Sequence, residues 1–455
     1  MLQMRRKALR AISLAVLALS GLGAAPPLAQ TTSYAAYLGG PQHSSYAKQA
    51  TTITPSNAVT THSIWTWAAA AKGSSSTYLN ASPITNAGII YIGAETGDFY
   101  AINAGTGVTK WRKTLPIDNC SNAGIVSSAT VAKDPVNGKL TVYVGGADHF
   151  LYALAASNGA TIWRVLIGGT DSHFYNWSSP TVANGHVYMG VATSCEAAGA
   201  DGLVALDQHT GGQIGRYYTS GVIGGAGASV YTSAAVAFDG SVFITTGDDN
   251  GASTNDATSI VKLSGSTLAR LGGYQVKGLT GLNLDFNASP TLFMAGTTPM
   301  VGACDKNGVF YALKQADLSS PVWTRRLGIP PAKGSLAFCG GSAVWDGAAL
   351  YVGADARTST SAPGSMYRLN PANGQVLWYA PLPAGPVVGS PSLDGAGLLA
   401  VPTYNKTGNN AVYLIDKTNG SIKRTLSYST PIFAQPVFAN GELLVAGPNL
   451  QAYVP

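Results

Sequence analysis

The sequence predicts an all-β chain, an eight-bladed β-propeller of four-stranded blades, on three observations. The first is a mark that recurs along the whole chain: Ser82-Pro83, Ser128-Ala129, Ser179-Pro180, Ser233-Ala234, Ser289-Pro290, Ser342-Ala343, Ser390-Pro391 and then Gln435-Pro436. Its spacing, about 45 to 56 residues, is the length of one four-stranded blade with its loops. The second is a grammar of strands and turns that repeats between marks. The third is a last unit that stops one strand short, with the missing strand at the other end of the chain.

Each unit opens with a short strand and a Gly turn, as in "ITNAGIIYIGA", "VANGHVYMGV", "VWDGAALYVGA" and "VFANGELLVAG". A third strand follows ("DFYAI", "FLYAL", "GLVAL", "SIVKL", "VFYAL", "SMYRL", "AVYLI"), then a turn and a fourth strand such as "TGVTKW", "NGATIW" or "NGQVLW". The alternation of apolar and polar residues over short runs fits strands and not helices. The turn Gly precedes a Trp at Gly107–Trp111, Gly159–Trp163 and Gly374–Trp378; Gly215 and Arg424 stand at that place in two other units. Trp65, Trp111, Trp163, Trp323 and Trp378 are expected to pack between blades. The eighth unit ends at "LQAYVP", while "THSIWTW", residues 61–67, carries a fourth-strand pattern ahead of the first unit. Pairing the two ends closes the ring and removes its exposed edge.

Composition agrees. Charged residues make up 11% of the 455 and Gly accounts for 55, which suits short strands joined by tight turns. Residues 1–30 read as a secretory signal peptide: Arg5, Arg6, Lys7 and Arg10, an apolar stretch from Ala11 to Leu22, and a cleavage site near Pro27-Leu28-Ala29. Residues 31–455 then form the single propeller domain, in a secreted, periplasmic or extracellular protein, exported by the ordinary or the twin-arginine route. The apolar stretch is too short to span a bilayer, and no later run is long enough. Without the signal segment, 27 basic residues fall to 23 against 21 acidic ones. No basic stripe remains for nucleic acid. Cys120, Cys195, Cys304 and Cys339 form no Cys-x-x-Cys or Cys-x-x-Cys-His, so neither a zinc ribbon nor a covalently attached haem is encoded. An even count in an exported chain favours disulfides. There is no Gly-x-Ser-x-Gly elbow, phosphate loop or His-Glu-x-x-His.

Over residues 33–455 this grammar resembles the quinoprotein-type propellers that hold pyrroloquinoline quinone, PQQ. The opening "YLGGPQHSSYAKQATTITPSNAVTTHSIWTW" and the turn ending in Trp are similar to theirs. "LNLDFNASPTLF" with "MVGACDKNGVFYAL" is most similar to secreted polyvinyl-alcohol-dehydrogenase-like members. In that family the cofactor lies over the central channel, at the face formed by blade-to-blade loops and second-to-third-strand loops. The resemblance implies PQQ and Ca²⁺ as cofactors. PQQ carries three carboxylates, so its site needs cations and backbone donors, and alcohol oxidation needs a base.

Lys306 matches the basic residue of the family's "D-[RK]-[NS]-G" turn that contacts the quinone. Read without the family, it is a hairpin-turn lysine pointing into water, with Asn307-Gly308 supplying the corner. Asp285 matches the aspartate before the fifth blade and is a candidate base or metal holder; the alternative is a loop cap. Asp248, Asp249 and Asn250 sit where the family's Ca²⁺-binding Asn tends to occur, and oxygen ligands suit that ion; the alternative is a solvated acidic loop. Asn176 and Trp177 are candidates to line the channel mouth around the cofactor. Two departures stand out: Gly281-Leu282 replaces the His-Asp common in alcohol-oxidising relatives, and no adjacent Cys-Cys pair is present. Cys304 and Cys339 flank the boundary of blades five and six and are the favoured disulfide, with Cys120–Cys195 as the second, although four cysteines allow three pairings.

Two functions follow. One is a PQQ-dependent alcohol dehydrogenase acting on a secondary or polymeric alcohol, with a separate electron acceptor. The other is a non-catalytic propeller that binds a protein or surface partner.

Overall fold

The computed structural model describes residues 32–73, 75–118, 123–169, 174–193, 201–222, 227–248, 256–277, 284–329, 339–356 and 362–455. The signal segment expected at 1–30, and Cys120, Cys195, Asp249 and Asn250, lie outside them. Eight sheets follow one another around a central axis, antiparallel throughout except where Tyr46–Ala47 adds parallel to Ser392–Asp394. Blade 1 runs through Ile84–Asn86, Ile89–Gly93, Asp98–Asn103 and Thr109–Thr114. Blade 5 runs through Thr291–Ala295, Thr298–Asp305, Val309–Lys314 and Trp323–Arg326. Blade 8 is composite: Val437–Ala439, Glu442–Ala446 and Leu450–Val454 take His62–Trp67 as fourth strand, antiparallel to Leu450–Val454. The ring therefore closes between the two ends of the chain.

The recurring marks form a hydrogen-bonded belt. Ser82 donates its backbone N–H to Ser128 Oγ (2.9 Å), Ser128 to Ser179 Oγ (3.0 Å), Ser179 to Ser233 Oγ (2.9 Å) and Ser233 to Ser289 Oγ (2.9 Å). The series continues from Ser289 to Ser342 Oγ, Ser342 to Ser390 Oγ and Gln435 to Ser82 Oγ. Between blades 7 and 8, Gln435 Nε2 instead donates to Pro391 O at 2.9 Å. Each serine satisfies a buried amide of its neighbour, so the mark is short and polar because it is an inter-blade joint.

The tryptophans pack between blades. Trp65, Trp111, Trp323 and Trp378 donate Nε1–H to Ala104, Ala156, Pro371 and Lys417 carbonyls in the following blade, at 2.9 to 3.0 Å. Each ring lies on the turn Gly of that blade: a Cβ at Gly107 would stand 3.0 Å from Trp65, and one at Gly159 2.7 Å from Trp111, with φ of +68° and +72°. The glycine is needed twice over, for the left-handed turn and for the ring above it.

A plug fills the channel. The opening stretch resembled by sequence turns inward, and residues 34–45 bond the innermost strands of six blades. Tyr34 exchanges N–H···O bonds with Thr85. Val131, Val236, Leu292, Trp345 and Leu393 donate to the carbonyls of Ala35, Pro41, Gln42, Ser44 and Ser45, at 2.7 to 3.1 Å. These amides would otherwise face the channel unpaired. Blade 8 joins through Gln435 Oε1, which accepts from Tyr34 Oη and the Leu38 N–H. Leu38, His43 and Ser45 adopt positive φ of 55°, 57° and 51°, which lets so short a segment turn within the channel.

Candidate functional site

Above the plug, at the face of the blade-to-blade and second-to-third-strand loops, a cavity of about 550 Å³ opens. Tyr37 closes its floor, with Oη 3.2 Å from Ser390 Oγ. The belt serines 82, 128, 179, 233, 289 and 390 line its wall. Each accepts an amide N–H, which leaves its hydroxyl hydrogen available to donate.

One side of the wall carries the charge. Lys306 lies in the blade 5 hairpin between Thr298–Asp305 and Val309–Lys314. The hairpin is as expected: Asp305 Oδ1 accepts the Asn307 N–H, Asn307 Oδ1 accepts the Val309 N–H, and Gly308 has φ of +82°. The lysine does not point into water. Its side chain is 9% exposed, and Nζ donates to Asp285 Oδ1 at 2.5 Å. Asp285 sits in the loop between blades 4 and 5, and its carbonyl accepts the Lys306 N–H at 3.0 Å. Among the described residues its carboxylate accepts from no loop amide; its second oxygen, Oδ2, accepts from Tyr231 Oη at 2.6 Å. The Tyr231 ring also stands 5.4 Å from Lys306 Nζ. Lys306, Asp285 and Tyr231 all line the cavity.

Asp248, from the blade 4 hairpin, lines the same wall. Asp305 is buried behind it. Burial, with the Asp285 and Asp248 charges, pushes its carboxyl up to about 8 against the opposing pull of the Asn307 N–H and Lys306. Its Oδ2 and the Oδ1 of Asn287, a lining residue, are buried without a hydrogen-bond partner among the described residues. No group of three or more His, Cys, Asp or Glu side chains with metal-site geometry occurs among them.

The two candidates entering blade 3 separate. Trp177 lines the cavity and is 45% exposed. Asn176 is buried beneath it, its Nδ2 donating to Gly146 and Phe150 carbonyls; it binds the second-to-third-strand loop of blade 2 and does not reach the wall. Across the channel, Tyr404 and Phe433 make an aromatic side, their rings 6.3 Å apart. The Cys304–Cys339 disulfide forms. It ties the strand that leads into Lys306 to the loop carrying Gly340, another lining residue. Sequence reasoning missed Tyr231, Tyr37 and the Tyr404–Phe433 pair. Tyr231 lies two residues before the blade 4 mark Ser233, and that position is the one signal that would have found it.

Residues 49–263 match the family model described as outer membrane protein assembly factor BamB. Comparison with curated proteins finds no match. Among solved structures, the quinohemoprotein alcohol dehydrogenase from Comamonas testosteroni is similar with a TM-score of 0.71 at 17% identity, covering 94% of this chain and 81% of the other. A europium-containing methanol dehydrogenase has a TM-score of 0.72 at 13% identity, covering 91% and 90%. BamB from Moraxella catarrhalis has a TM-score of 0.56 at 15% identity, covering 87% and 98%. At these identities the structural likeness establishes the fold.

Proposed function

We propose that this chain is a PQQ-like propeller, a reading supported by the family match over residues 49–263 and by the shared fold, that its channel cavity takes PQQ and that the protein oxidises an alcohol. The observation that carries this reading is the buried Lys306–Asp285 pair on the wall of a cavity closed from below. The donor set suits the group. Lys306 supplies a cation, the belt serines supply O–H donors for carboxylates, and Asn287 Oδ1 is a buried oxygen awaiting a donor or cation. Among the described lining residues, Lys306 is the one lysine or arginine, against Asp248 and Asp285. A tricarboxylate here therefore calls for a divalent ion as well, and Asp248 with Asn287 offers the hard oxygen ligands Ca²⁺ prefers.

When bound, PQQ supplies a two-electron acceptor for the carbon-bound hydrogen of the alcohol. The chain's own residues do the rest. Lys306 would hold its positive charge beside the bound group. Asp285 takes the hydroxyl proton of the alcohol. Tyr37 and the belt set the depth to which a ligand enters. The substrate class is a secondary or polymeric alcohol, and a separate electron acceptor completes the cycle. An exported location agrees with the basic and apolar N-terminal segment, and no helix among the described residues is long and apolar enough to cross a membrane.

A second reading is a propeller that binds a protein or surface partner. The family match over residues 49–263 favours it, as does the missing His-Asp before Asp285. One titration decides. Purified protein is mixed with PQQ and Ca²⁺ while quinone absorbance and thermal stability are followed. Binding to the folded state raises the midpoint by mass action; an unmoved midpoint at saturating PQQ leaves the partner-binding reading.

A further inference from the structure

We infer that Tyr231 is the positioning residue of this site: it holds Asp285 so that one carboxylate oxygen latches Lys306, and an entering oxygen ligand opens the latch by drawing the ammonium away. The inference rests on the proposed function for its chemistry, and on geometry for the latch.

Both oxygens of Asp285 are engaged, Oδ1 by Lys306 Nζ at 2.5 Å and Oδ2 by Tyr231 Oη at 2.6 Å. The three residues come from three separate segments: the loop between blades 3 and 4, the loop between blades 4 and 5, and the blade 5 hairpin. Their side chains meet on the wall of the cavity, not within one blade. The carboxylate has little room to turn. A Cβ at Gly247 would stand 3.2 Å from Oδ2 and 3.1 Å from the Ser229 carbonyl, so the absence of a side chain there leaves the carboxylate its space. With Oδ2 held, Oδ1 faces Lys306.

Each Asp285 oxygen has two lone pairs, and the oxygen with both open is the one an alcohol reaches most readily. Oδ1 becomes that oxygen when Lys306 moves to a different acceptor. The Tyr231 ring, 5.4 Å from Nζ, keeps a favourable surface under the ammonium in either position. The ligand feature that opens the latch is an oxygen acceptor, carboxylate or quinone carbonyl, since an ammonium has donors alone to offer. Ligand entry thereby opens both lone pairs of Oδ1 to the alcohol, so the base is most accessible when its oxidant partner is in place.

The test compares wild type, Tyr231→Phe and Tyr231→Ala, full chain, by three readouts. The first is the rate at which an amine-acylating reagent modifies Lys306, followed by peptide mass spectrometry without PQQ. Tyr231→Phe keeps the ring and removes the hydroxyl; labelling rises about tenfold, the change in population that loss of one charge-assisted hydrogen bond brings. The second is PQQ affinity, which stays within about threefold of wild type in Tyr231→Phe, because Lys306 and the belt still meet the ligand. The third is turnover with an alcohol: kcat falls by about tenfold or more with KM unchanged, as for loss of a group acting only on the base. Tyr231→Ala also loses the ring and weakens PQQ binding, which the Phe variant does not. Wild-type labelling of Lys306 in a stably folded Tyr231→Phe overturns the inference. If wild type binds no PQQ, the proposed function falls, while the labelling experiment still decides whether Tyr231 holds the pair.

Discussion

Blades 4 and 5 each hold an aspartate between a tyrosine hydroxyl and a cation, and they use it differently. At the rim of blade 4, Asp256 accepts from Tyr217 Oη and from Arg270, Nε to Oδ2 at 2.8 Å and Nη2 to Oδ1 at 2.7 Å. Blade 1 repeats the arrangement with Asp98, Arg112 and Tyr100. At the channel, Asp285 has Tyr231 and a lysine. The arginine comes from the fourth strand of its own blade, grips both oxygens and lies 42% exposed. Such a planar, permanently charged fork is hard to displace and its position is fixed. The lysine comes from a hairpin, meets one of the two Asp285 oxygens and lines a cavity. A point charge on a flexible stem exchanges partners readily. An aspartate, a tyrosine and a cation thus suit a fastener at the rim and an exchangeable contact at the channel; whether the cation is arginine or lysine, and the direction it faces, decide which.

The sharpest way to break this contrast is Asp285→Asn. Turnover should fall by roughly a hundredfold or more, the range for loss of a general base, with thermal stability close to wild type; steady-state kinetics and a melting curve measure both. Turnover near wild type would reduce Asp285 to a second fastener. A smaller effect concerns the channel alone. Burial pushes the His43 imidazole down to about 4, against the pull of Pro290 O on Nδ1. As pH falls from the unfolded value near 6.5 towards 4, the unfolded chain takes up a proton that the folded chain refuses, so stability drops by about 3 kcal/mol across that window. His43→Gln should lack that portion of the acid loss in denaturant titrations at pH 7 and pH 4.5; an identical loss in both proteins would remove His43 as its source. The smallest effect belongs to the rim. Arg270→Ala should cost about 1 kcal/mol, since its side chain is well exposed and screened, without change in PQQ affinity.

What the sequence discloses about this molecule follows the chemistry of its repeats. The serine marks, the turn glycines and the tryptophans are legible because each blade must solve the same joint, and their spacing alone predicts eight blades and the composite last one. The hairpin that aims Lys306 is legible through Asn307-Gly308. Its direction is not, because a turn lysine facing water and one facing a buried aspartate 21 residues away have the same local pattern. The plug is harder still. Its bonds run through backbone carbonyls to strands as far away as Leu393, and irregular backbone carries no periodicity to read. Tyr231 belongs to the same class: its importance arises where three loops meet, and none of the three alone signals it. Asn176, adjacent to a cavity-lining Trp177, shows the converse. Neighbouring residues in a loop face opposite ways, and only one reaches the wall.

The most direct test of the channel as the binding site is one titration run on three proteins: wild type, Lys306→Ala and Arg270→Ala, each with PQQ and Ca²⁺, followed by quinone absorbance. Wild type and Arg270→Ala should bind alike, and Lys306→Ala should bind at least about tenfold more weakly, as loss of a charge-assisted contact requires. Equal affinity in all three would contradict the account, because the cation at the channel would then matter no more than the one at the rim.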